Sequence, residues 1–234
     1  MSATGTDKKD RSHIYKLYES PVAPEEIEAR SFEAIDREAK SHSFSDDEWI
    51  VVRRMIHTTA DFSLIGDVKF STGAIRSACE ALRAGASLYA DSNMIKSGLS
   101  LMRLKAVFPD YTKDKILCHI ADEDVAEECK KAGLPRSLYA IRKARPHLDG
   151  AVVAIGNAPV ALLELNRMIA EGEVRPAVVI AMPVGFVHVI ESKEELMGID
   201  AEYITIQGRR GGSGIAVSVV HSLLAIASNQ KSGD

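Results

Sequence analysis

Three cysteines in 234 residues is a thin supply of sulfur. Cys79, Cys118 and Cys129 show neither CxxC nor metal-like spacing, which argues against a disulfide scaffold or a thiolate-held metal. Cys79 falls on the apolar stripe of a predicted helix and Cys118 inside a predicted strand, so all three read as buried thiols of a reducing cytoplasm. A charge excess is missing too: 29 Lys and Arg stand against 33 Asp and Glu, a net −4. A broad nucleic-acid surface is therefore not expected, although a local cationic pocket is compatible with that balance. No apolar run approaches a membrane span, and MSATGTDKKDRS carries no signal-peptide core. A soluble cytoplasmic chain is the expectation. HExxH, HxH and GxSxG are absent, as are internal repeats and low-complexity tracts, leaving metal hydrolysis and serine-triad chemistry without support.

What is present is an alternation. Ala151–Phe186 contains AVVAIGNAP, an apolar-periodic helix, and PAVVIAMPVGF. Each apolar run of small and β-branched residues breaks at Gly or Pro, the pattern of parallel strands buried on both faces. Ser87–Ala90, Lys115–Ile120, Ala151–Ile155, Ala177–Met182 and Tyr203–Gln207 read as five such strands. Helices between them imply right-handed crossovers, hence a three-layer α/β/α sandwich with a mainly parallel sheet behind a helical N-terminal segment. The whole chain, 1–234, reads as a single domain, with residues 1–12 and 229–234 frayed.

Local signals place the helices. One begins near Pro24 and carries Ile27, Ser31 and Ile35 on one face, so Ser31 is expected to point inward. There it either bonds a carbonyl one turn earlier or contacts a ligand. Ser45-Asp46-Asp47-Glu48 is a capping box for a second helix with Trp49, Val52 and Ile56 as its stripe, ending near His57. Ser71 or Thr72 caps a third, with Ile75, Ala78, Cys79 and Leu82 on one face, stopped by Gly85. An acidic helix at Asp122–Ala132 stops at Gly133, and a short one follows Arg136-Ser137. Further helices are expected over Ala158–Glu171 with Asn157 as cap, from about Ser192, and over Ile215–Ala227.

Three strand ends break open together, and open parallel sheets hold ligands at that edge. Gly208-Arg209-Arg210-Gly211-Gly212-Ser213-Gly214 offers backbone N–H groups at a helix start plus two arginines, a cradle for carboxylate or phosphate. It matches neither GxxxxGK[ST] nor GxGxxG. IGNAP offers Asn157 as cap or amide donor, and MPVGF offers a bend at Gly185 with Phe186 as an apolar wall. Among seven histidines His57 is the best acid/base candidate, lying at a helix end between Arg54 and Asp61, since only histidine titrates near neutrality unaided. His119, His188 and His221 have no obvious partner.

Taken in order, IEARSF (Ile27–Phe32), RMIHTTAD (Arg54–Asp61), DSNM (Asp91–Met94), Arg136-Ser137, IGNAP, MPVGFV-x-x-x-ESKEEL and GRRGGSG closely resemble the precorrin-8 methylmutase, or precorrin isomerase, family of cobalamin biosynthesis. The resemblance covers about Tyr15 to Leu224. Two positions depart from the family's usual pattern: Ala60 stands where glycine is frequent, and Val160 where threonine is frequent. The resemblance implies a homodimeric α/β isomerase without a cofactor or resident metal, its pocket near the interface. The reaction it implies moves a methyl group from C11 to C12 of precorrin-8 or its cobalt form, giving hydrogenobyrinate or cobyrinate. His57 matches the proton-donating histidine, and Ser31, Arg54 and, more loosely, Arg136 match substrate contacts. Asn93, Asn157, Gly185, Arg209, Arg210, Gly211, Gly212 and Ser213 complete the expected substrate site from the loop breaks. A nucleotide- or phosphate-binding module using GRRGGSG, and a corrinoid carrier without activity, are the competing readings.

Overall fold

The computed structural model describes residues 12–229; the expectation of fraying at 1–11 and 230–234 lies outside them. The chain divides into two units at Lys40. In the first, α1 (His13–Glu19) has no buried residue, and α2 (Pro24–Glu38) follows. Ser31 donates to the Ile27 carbonyl at 2.7 Å, the local bond expected of a mid-helix serine. Ile27 is exposed rather than part of an inward face, and only Ile35 of that row is buried.

The second unit, from Ser41 onward, is built on a six-stranded sheet of order β1-β6-β5-β4-β2-β3. The strands are β1 (Val68–Phe70), β2 (Leu88–Ala90), β3 (Ile116–Leu117), β4 (Val152–Ile155), β5 (Val178–Ala181) and β6 (Tyr203–Ile206). All pair in parallel except β1, which runs antiparallel along β6 with Lys69 opposite Thr205. Five strands were expected; the sixth is this short edge. Strand β3 keeps only two of its expected six residues.

Every residue of β2, β4 and β5 is buried. Val153, Ile155, Val179 and Ala181 join one core cluster with Ile141, Leu162, Leu165 and Leu196, so α8 (Arg136–Ala144), α9 (Pro159–Ala170) and α10 (Val189–Met197) cover that face. Alternate residues point the other way. That second layer holds α4 (Ala74–Arg83) and α11 (Ser213–Asn229), the latter packed on α3 (Asp46–Thr59), α5 (Asn93–Gly98) and α6 (Leu101–Val107). The acidic helix α7 (Glu123–Ala132) lies against α8 and stops at Gly133 in the left-handed region.

Side-chain caps open three of the described α-helices: Ser45 for α3, Ser92 for α5 and Ser100 for α6. The capping box is complete: Ser45 and Glu48 each bond the other's backbone N–H. Val51, Val52, Met55 and Ile56 form the buried stripe of α3, with Trp49 only half-buried and stacked on His42 at 4.0 Å. Neither Ser71 nor Thr72 caps α4; Gly73 does, and the Ser71 hydroxyl bonds Glu202 instead. Asn157 is not the cap of α9 either, because Ala158 holds that position. Cys79 and Cys118 are buried as expected, whereas Cys129 is half-buried.

Candidate active site

The C-terminal edge of the parallel strands contains a switch point. From β2 the chain moves to β3 on one side, while β4 lies on the other, and ligands commonly occupy the crevice opened there. In this molecule a side chain fills it. Asp91, 1% exposed, accepts the N–H groups of Gly156 (3.1 Å), Asn157 (2.8 Å) and Ala158 (2.7 Å) at the start of α9. Burial pushes its carboxyl above the ordinary range, against the pull of those three donors. Beside it, Ser92 caps α5 and shares a 3.1 Å hydroxyl contact with Ser213. A Cβ on Gly156 would lie 2.8 Å from the Ser213 Cα, so glycine is needed for this approach. Asn93, Asn157 and Ser213 are thereby gathered on adjoining turns, the two asparagines exposed.

The open depression lies one strand further along, on the β5 and β6 ends. Thr59, Asp61, Leu64, Val184, Gly185, Phe186, Arg209, Arg210, Gly211 and Ile215 line its volume of about 370 Å³. Two of the three strand-end breaks, the MPVGF turn and the GRRGGSG loop, meet here with the end of α3, while IGNAP is absent from the lining and is held by Asp91. The loop is drawn close. Gly212 N–H donates to the Met182 carbonyl at 2.8 Å, and Gly185 N–H to the Arg209 carbonyl at 3.3 Å. A Cβ on Gly211 would press into the Met182 carbonyl oxygen, which explains the glycine. Gly185 (φ 139°) and Gly212 (φ 130°) adopt backbone that side chains rarely tolerate.

The two loop arginines have parted. Arg210 turns to the short 3-10 segment Phe62–Gly66 and its flanks, donating to Asp61 (2.6 Å), to Ser63 Oγ (2.6 Å) and to Asp67. Burial opposes its charge, yet Asp67 and Asp61 outweigh that and hold the guanidinium pKa above its usual value. Arg210 lines the depression, and its fork also braces the loop against the residues after α3. Arg209 is exposed, and its guanidinium carbon stands 5.9 Å from the centre of the Phe186 ring. Phe186 itself is 87% exposed.

His57 occupies the last turn of α3, exposed, two residues before Thr59 of the depression, with Arg54 one turn behind it and half-buried. Ala60 ends that helix at φ 52°, a left-handed conformation usually left to glycine. Arg136 opens α8 and is exposed; it is not among the residues lining the depression. His119 pairs with Asp122 at 2.9 Å, and His221 Nε2 accepts the Ser100 N–H at 3.2 Å, so both hold structural partners. Among the described residues no three His, Cys, Asp or Glu side chains gather as a metal site.

One polar residue escaped the sequence reading. Lys193, within ESKEEL, is 1% exposed and donates to the carbonyls of Gly208 (3.0 Å) and Arg210 (2.6 Å). Burial, followed by the nearby charge of Arg210, pushes its amine down to about 8.

A precorrin-8X methylmutase family model matches residues 26–226. The chain belongs to the precorrin-8X methylmutase family. Its members are isomerases of cobalamin biosynthesis, and this chain is such an enzyme. It is 41% identical over 206 residues to a cobalt-precorrin-8 methylmutase of Priestia megaterium, covering 88% of this chain and 89% of that one. A cobalt-precorrin-8 methylmutase of Leptospira interrogans is 42% identical over 212 residues, covering 87% and 94%. The precorrin-8x methyl mutase of Thermus thermophilus, solved by crystal analysis, superimposes with a TM-score of 0.81 at 40% identity, covering 88% and 97%. No described helix is long and apolar enough to cross a membrane.

Proposed function

We propose that the depression grips one edge of precorrin-8 or cobalt-precorrin-8 while His57 supplies a proton to a ring nitrogen, so that the methyl group migrates from C11 to C12. The observation that carries this is the pairing of an exposed cation with an apolar wall: Arg209 over Phe186, with Leu64, Val184 and Ile215 beside them. A corrinoid is a broad apolar ring fringed with carboxylates, and it needs both. Each charge-assisted hydrogen bond to a carboxylate contributes about 1.5–3 kcal/mol. The N-terminal end of α11 adds a favourable field for the same anions.

His57 in its imidazolium form draws electron density from the conjugated ring, lowering the barrier to a sigmatropic shift. General acid help of this kind is worth about 10²–10⁴ in rate. Holding the ring in a reactive shape supplies the rest. The cobalt of one substrate form arrives inside the macrocycle. Arg54, Arg136, Asn93, Asn157, Gly211, Gly212 and Ser213 are proposed as further substrate contacts through family resemblance or their turns.

A nucleotide module finds less support. The N–H groups at the start of α9 are already taken by Asp91, and GRRGGSG lacks the lysine that GxxxxGK[ST] places before its hydroxyl residue. The carrier reading finds less support, because the family match is to enzymes.

The family match spans both units, which supports treating the chain as one functional domain. We further propose a cytoplasmic homodimer with the depression near its interface. Val187, 69% exposed next to Phe186, suits a subunit contact. Burial pushes the Cys79 thiol up to about 11, in keeping with inert thiols of a reducing compartment. Gel filtration with absorbance detection tests the ligand. Mixed with hydrogenobyrinic acid, the protein should elute with a shifted, retained chromophore; retention of ATP without any corrinoid would overturn the reading.

A further inference from the structure

Lys193 is a charge kept in the interior. It shares the inner face of α10 with Val189, Ser192 and Leu196. An ammonium there costs several kcal/mol unless its protons find acceptors. Both acceptors belong to the glycine-rich loop, and they flank one residue: the carbonyls of Gly208 and Arg210 stand on either side of Arg209.

The geometry of the peptide bond gives this a consequence. In a planar trans peptide the N–H points opposite to the C=O. Turning the Gly208 and Arg210 carbonyls inward to one amine therefore turns the N–H groups of Arg209 and Gly211 outward. Both of those residues line the depression.

We infer that Lys193 is a positioning residue for the ligand loop, setting the backbone on both sides of Arg209 so that its guanidinium and the Arg209 and Gly211 N–H groups meet substrate carboxylates. This rests on the proposed function for what the carboxylates belong to, but not for the loop itself. Lys193 touches no substrate; it acts through Arg209 and Gly211.

The test compares wild type with Lys193→Met by hydrogen exchange of the loop Gly208–Gly214 in the free protein, by absorption titration with hydrogenobyrinic acid, and by single-turnover rate on saturating substrate. Losing the charged donor should speed loop exchange about tenfold or more and raise the dissociation constant by at least about tenfold, the equivalent of about 1.4 kcal/mol. The saturated rate should stay within about threefold. A residue that merely packs would shift the melting temperature and leave both the loop-specific exchange and the split between affinity and rate untouched. That outcome would overturn the inference. Should Lys193→Met fail to fold, Lys193→Leu, which likewise has no donor, carries the same comparison. If the wild type binds no corrinoid while the loop still loosens in the variant, the substrate assignment falls and the positioning role stands.

Discussion

The Asp91 carboxylate accepts the Ala158 N–H at 2.7 Å, the shortest of three backbone bonds it gathers at the start of α9. A carboxylate from the end of β2 thus sits where a doubly wound sheet would otherwise receive an anionic ligand. It couples the β2 and β4 ends.

Removing that carboxylate strands three donors in the interior. Asp91→Ala should lower stability by about 2–4 kcal/mol, read as a denaturant midpoint shift. Asp91→Asn, which retains one acceptor oxygen, should lose less. An unshifted midpoint in Asp91→Ala would show that the carboxylate does not hold these turns together.

The two adjacent arginines should separate cleanly. Arg209→Ala should weaken corrinoid binding by about 10- to 150-fold, matching one lost charge-assisted bond, with little change in melting temperature. Arg210→Ala should lower stability by about 1–2 kcal/mol, its contacts with Asp61 and Asp67 being partly screened by solvent. Titrations and melts of both variants settle the division; equal effects on binding would refute it.

Ala60 ends α3 at φ 52°. Ala60→Gly removes the Cβ clash of the left-handed conformation and should stabilise the protein by about 1 kcal/mol. Thermal melts would show it; a lower melting temperature would place some other constraint on this residue.

Lys193 gives a pH signature with an unusual sign. Its amine falls from 10.5 to about 8 on folding, so between those values the unfolded chain binds more protons than the native one. Wild-type stability relative to Lys193→Met should therefore rise from about pH 8 to pH 10.5, by at most about 3 kcal/mol. Denaturant titrations of both proteins across that window test this. A flat difference would mean that the amine titrates normally.

Strands β4 and β5 were legible because burial on both faces demands unbroken apolar runs, and these runs end visibly at Gly or Pro; β6 was marked by the glycine-rich loop after it and β2 by its place in the alternation. The Ser45 capping box and the glycine stops at Gly85 and Gly133 are equally local. Strand β1 was missed because Val68-Lys69-Phe70 is too short to show alternation, and it exists only through pairing with β6, more than 130 residues away. The bracing role of Arg210 was hidden for the same reason, its carboxylates lying 149 and 143 residues earlier. Lys193 hid among Glu191, Glu194 and Glu195 in a segment that reads as solvated. Its signal was present, since Val189, Lys193 and Leu196 repeat at helical spacing and place the lysine on the apolar stripe.

The proton donor proposed at His57 is the centre of the proposed mechanism, and single-turnover conversion of pre-bound precorrin-8 by His57→Ala tests it most directly. The variant should keep the corrinoid at close to wild-type affinity while the methyl shift slows by about 10²–10⁴. Conversion at the wild-type rate would contradict the role of His57.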